Sequence, residues 1–157
     1  MWTASTNRQE ATASDVPLVA RLLAYAAAVP FLAAPLMIYL EEAEDGPSTR
    51  GAIVYAALIL SFLAGIRWGQ GLFSQVDKDR RDRLFFWSIV PPLIGWDAVF
   101  LPETVGFFVL ALAIGVQGAI DFTESGKGGL PAWFGKIRLH MTAIAMTGLI
   151  SAGLVSA

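Results

Sequence analysis

From Leu22 to Leu40 the chain runs for 19 residues without a charge, and four more mainly apolar stretches follow: Gly51 to about Phe73, Leu84 to Leu101, Thr104 to Ile120 and Leu139 to Ala157. A hydrocarbon core of roughly 30 Å is crossed by about 20 helical residues at about 1.5 Å each. A spanning segment must also satisfy its own backbone polar groups, which a helix does. The blocks therefore predict an all-α polytopic membrane protein with five transmembrane helices, at about 22–40, 51–73, 84–101, 104–120 and 139–157, forming one domain over residues 17–157. Residues 1–16 are small and polar with no apolar period, which predicts a flexible tail. With 55% apolar and only 15% charged residues, the composition suits a lipid environment better than a soluble core. The first block is longer than the apolar core of a cleaved signal, about 7 to 15 residues, and is expected to be retained.

Basic residues set the expected orientation. Alternating spans put Arg8, Arg21, Arg67, Lys78, Arg80, Arg81, Arg83, Lys127, Lys136 and Arg138 on the side of the N-terminus and only Arg50 on the other. The positive-inside bias then places the N-terminus in the cytoplasm and the C-terminus outside. The expected location is a bacterial inner membrane, or the mitochondrial inner membrane if the source is eukaryotic. Pro30 and Pro35 free the carbonyls of Ala26 and Phe31 and predict a bend in the first span. The Pro91-Pro92 pair predicts a break in the third.

Within the spans, small residues and a few polar ones are the candidates for function. Ser61, Gly65 and Gly69 recur at intervals of four and predict a stripe along which a second helix packs closely, since helix association in lipid depends on close approach. Ala111, Gly115 and Gly118 form a similar set on the fourth span, as do Gly148 and Ala152 on the fifth. Counting inward from the outer ends, Arg67 lies about 24 Å from Gly51, Asp121 about 25 Å from Thr104 and His140 about 25 Å from Ala157. Gln117 lies one turn from Asp121 on the same face. A layer of Arg67, Gln117, Asp121 and His140 is therefore expected near the cytoplasmic edge, with Arg67 paired to Asp121 and His140 within reach. Asp97 is a lone acid inside the third span, read either as part of a conducting pathway or as an acid that is hydrated or paired with Arg50.

The residue inventory narrows the chemistry. Cysteine is absent and His140 is the single histidine, which removes thiolate metal sites, disulfides and bis-histidine haem. Nucleophile-elbow, phosphate-loop, dinucleotide and zinc motifs are missing. The expectation is no catalytic activity, no cofactor, no metal and no nucleic-acid partner.

The segments YAALILSFLAGIRWG from Tyr55, SIVPPLIGW ending at Trp96, Asp121 closing the fourth span and LPAWFGKIRL from Leu130 together resemble the DUF3429 family of small multi-pass membrane proteins. That family is similar to the transmembrane protein 69 group. The resemblance covers most of Val16 to Leu154 and implies a membrane location and a multi-span topology; it carries over no catalytic residues. Its specific part is the ILSFLxGxxWG core, and Ala64 stands where the family pattern has a second glycine. The surplus of small-residue stripes favours an accessory or assembly subunit that docks on a larger membrane protein complex within the lipid bilayer. The alternative is a small proton- or solute-conducting transporter or channel.

Overall fold

A computed structural model describes residues 16–41 and 46–157. The tail expected over residues 1–16 lies outside the described residues except for Val16, and so do residues 42–45 of the acidic stretch that begins at Glu41. The described residues form five α-helices: α1 Leu18–Leu40, α2 Pro47–Phe73, α3 Lys78–Ala98, α4 Glu103–Gly126 and α5 Ala132–Val155. Four of them, all but α3, are long and apolar enough to cross a membrane. The third helix opens with the exposed run KDRRDR, which leaves only Leu84 to Ala98 as its apolar part.

The helix ends differ from the sequence expectation for local reasons. Pro47 sits in the first turn of α2, where a missing N–H costs nothing. The Asp77 side chain accepts from the Arg80 N–H at 2.7 Å and starts α3 six residues earlier than expected, ahead of its charges. The expected break at Pro91-Pro92 is not found: α3 is helical through both prolines to Ala98, and residues 99–101 turn toward α4. Their fixed φ is compatible with a helix, and the loss is confined to two adjacent acceptors, those of Trp87 and Ser88. The gap left between the expected spans 104–120 and 139–157 shrinks to five residues, Lys127 to Pro131, because α4 and α5 carry Asp121 and Arg138 inside their helical runs.

The helices run up and down with short connections. In closeness of packing, α4 pairs with α5, α3 with α2, and α1 with α5 rather than with α2. Cross-helix hydrogen bonds fix the register at both ends. Near one end the Gln70 amide donates to the Gly129 carbonyl at 2.9 Å, and Arg80 meets Glu124 at 3.0 Å. At the other, Arg50 donates to the Val99 carbonyl at 3.1 Å and Thr104 to the Ser156 carbonyl at 3.1 Å. The core is one apolar cluster centred on Leu60, Phe107, Leu110, Ile114 and Leu149.

Small residues set the closest helix contacts, and they differ in part from those expected. A Cβ at Gly118 would collide with the Thr142 side chain, and one at Gly115 would lie 2.8 Å from the Met146 sulfur, so this pair does pack α4 against α5. At Gly95 an added Cβ would sit 3.2 Å from the Ala57 backbone, joining α3 to α2. The two glycines of the Ser61/Gly65/Gly69 stripe, by contrast, are not used for close packing among the described residues: at Gly65 and Gly69 a Cβ would meet nothing within 4 Å. The buried face of α2 runs instead through Ile53, Ala56, Leu60, Leu63, Ala64, Arg67 and Gly71, a three-four spacing that puts Gly65 and Gly69 on the opposite side. Ser61 bonds back to the Ala57 carbonyl at 2.8 Å.

Candidate functional site

Toward the end of the bundle that carries the α2–α3 and α4–α5 connections, three helices bring charge into the core. On α4, the spacing of Leu110, Ile114, Gln117, Asp121 and Ser125 keeps one face turned inward, and Asp121 is 2% exposed. Its Oδ2 accepts from Arg138 Nε at 3.0 Å. Its Oδ1 accepts from Gln117 Nε2, one turn back, at 3.1 Å, and lies 3.6 Å from Arg67 Nη2. Arg67 and Arg138 are themselves buried. The expected meeting of Arg67, Gln117 and Asp121 is thus present.

The fourth member differs. His140 is exposed, and Arg138 occupies the place expected for it. On α5 the inward face is Gly135, Arg138, Thr142, Ala145, Leu149 and Ala152. A residue two positions from Arg138 is turned about 200° around the helix, so His140 faces away. That three-four register of small and polar residues was the available signal for Arg138. Asp97 is also exposed and lies at the opposite end of the bundle, where Arg50 donates to the Val99 carbonyl.

The cluster is unbalanced. Two guanidiniums face one carboxylate, so a buried site carries a formal charge of +1 (two cations less one anion). Arg67 Nη2, Arg138 Nη2 and Thr142 Oγ1 are buried and have no hydrogen-bond partner among the described residues. Such a site ties α2, α4 and α5 together through charge, and its surplus donors and charge favour an anion. Among the described residues no group of three or more histidine, cysteine or acidic side chains is placed to hold a metal.

Outside the core, Glu124 sits between Arg80 at 3.0 Å and Lys127 at 3.9 Å and links the solvated ends of α3 and α4. Ser125 donates to the Pro131 carbonyl at 2.9 Å, closing the short α4–α5 connection. Gly135 packs on Ser125 at the same place, 2.6 Å from an added Cβ to the hydroxyl.

No solved structure matches the chain. A transmembrane protein 69 from Xenopus tropicalis is 26% identical over 136 residues, covering 87% of this chain and 54% of the relative. The corresponding protein from Mus musculus is 26% identical over 137 residues, covering 87% of this chain and 56% of its own. The chain therefore spans about half the length of these relatives. With four helices fit to cross a membrane and a match to the family of proteins of unknown function DUF3429 over residues 16–154, the chain is a membrane protein that belongs to that family.

Proposed function

We propose that this protein is a non-catalytic accessory or assembly subunit that docks on a larger membrane protein through the outer face of α2. One observation carries the reading: Gly65 and Gly69 have open space beyond their Cα atoms, while Phe62, Trp68 and Leu72 beside them are exposed. In lipid such a face lets a partner helix approach closely. Replacing Gly65 or Gly69 with leucine is expected to leave the stability of the isolated protein within about 0.5 kcal/mol, since no described residue lies within 4 Å of a Cβ at either position. The same changes should abolish stoichiometric co-purification of a membrane partner in mild detergent. Co-purification undiminished in both variants would overturn the docking face.

A second reading, a small proton- or solute-conducting protein, draws on the buried Arg67, Asp121 and Arg138, because ionisable groups inside spans often line pathways. Asp97 lends it no support, being exposed. Proton flux by the purified protein in liposomes separates this reading from the first.

The topology that goes with either reading has five spans, α3 crossing as the fifth through its packing on α2, with the N-terminus in the cytoplasm. Nine described basic residues group toward one end of the bundle and Arg50 lies at the other. A fluorescent-protein fusion after Ala157 should be dark and an alkaline-phosphatase fusion there active; the reverse pattern would invert the orientation.

A further inference from the structure

Between α1, α2 and α5 lies a cavity of about 570 Å³ with almost wholly apolar walls, within the range of pockets that enclose a small ligand. Along α1 it extends from Ala20 to Phe31 and along α5 from Trp133 to Ala145. At about 1.5 Å per residue these stretches are roughly 16 to 18 Å long, close to the depth of one leaflet of a hydrocarbon core of about 30 Å. The cavity is partly open. Leu23 and Phe62 belong to its lining yet are largely exposed, so the opening lies between α1 and α2, the loosely packed pair.

Its polar feature is Arg138, which forms part of the wall about two-fifths of the way in from the Trp133 end. The residue is only 5% exposed, its Nη2 has no acceptor among the described residues, and it belongs to the cluster with the surplus positive charge. Exposed Arg21 and Lys136 flank that end of the bundle. Apolar walls of one-leaflet length beside an under-neutralised guanidinium match an amphiphile with one long chain in the slot and an anionic head near Arg138. A neutral lipid leaves the surplus charge uncompensated.

We propose that this cavity holds an acyl chain of an anionic phospholipid entering between α1 and α2, with Arg138 supplying the charge that selects its headgroup. Chain burial supplies most of the affinity, and the charged hydrogen bond supplies the preference for an acidic head.

The test is a thermal-shift titration of the purified full chain in neutral detergent with dioleoyl phosphatidylglycerol, dioleoyl phosphatidylcholine and inorganic phosphate as separate probes. Phosphatidylglycerol should give a saturable rise in Tm with an affinity about tenfold or more above that of phosphatidylcholine, and phosphate alone should give none. Ala24→Phe, which fills the slot from α1 without touching the charged cluster, should remove the phosphatidylglycerol shift. Arg138→Gln should equalise the two lipids. Equal shifts from both lipids in the parent, an equal saturable shift from inorganic phosphate, or a full phosphatidylglycerol shift in folded Ala24→Phe would each overturn the proposal. Should Arg138→Gln not fold, the parent titrations and Ala24→Phe still decide it.

Discussion

Asp121→Asn is expected to cost about 3–5 kcal/mol of stability in detergent, the range found when one partner of a buried ion pair is removed. The change keeps the shape of the side chain but takes away the only anion that faces Arg67 and Arg138 among the described residues, raising the formal charge of the buried cluster from +1 to +2. Arg138→Gln should cost less, because it leaves a balanced Arg67–Asp121 pair. Combining the two restores the parent charge of +1, so the double variant should lose less than the sum of the single ones, with a coupling of up to about 3 kcal/mol. The Arg67→Gln and Asp121→Asn pair should couple more weakly: Arg67 approaches Asp121 only to 3.6 Å and makes no hydrogen bond to it, whereas Arg138 donates directly at 3.0 Å. The measurement is equilibrium or thermal unfolding of the four proteins of each cycle. Strictly additive losses for Arg138 and Asp121 would show that the cluster is not closed in the protein.

What the sequence makes legible here is depth; what it hides is rotation about each helix axis. Length and charge place Arg67 and Asp121 at one level, and the structure brings them together. Azimuth is harder, because a helix facing lipid on one side and apolar neighbours on the other has little contrast between its faces. In a soluble protein Gly65 and Gly69 would stand out against a polar surface; here Phe62 and Leu72 beside them are as apolar as Leu60 and Leu63 in the core. The same ambiguity exchanged His140 for Arg138. A basic residue shortly after Lys136 reads as part of a loop until a carboxylate from another helix is seen to neutralise it, and only the fold places Asp121 there. The orphan donors of the cluster are likewise invisible in one dimension, since they depend on which guanidinium reaches which oxygen.

Gly148 is where the largest packing effect is expected. Pro35, having no N–H, leaves the Phe31 carbonyl of α1 without its helical donor. That carbonyl lies against the Cα of Gly148 on α5, and a Cβ built at Gly148 would collide with the Phe31 oxygen. The absence of a side chain therefore lets two backbones touch at the point where the Phe31 carbonyl has lost its helical donor. The obstacle to any larger residue is backbone, which cannot rotate aside, unlike the Thr142 side chain opposite Gly118 or the Met146 sulfur opposite Gly115. Overpacking of this kind costs typically about 1–3 kcal/mol and occasionally more. Gly148→Ala should fall at the upper part of that range and Gly148→Leu beyond it, separating α1 from α5 and re-exposing the Phe31 carbonyl. Gly115→Ala, where a flexible methionine can move, should cost under about 1.5 kcal/mol. Thermal unfolding in detergent of these variants beside Gly65→Leu gives the comparison. A Gly148→Ala protein as stable as the parent would mean that α1 does not meet α5 backbone to backbone at this point.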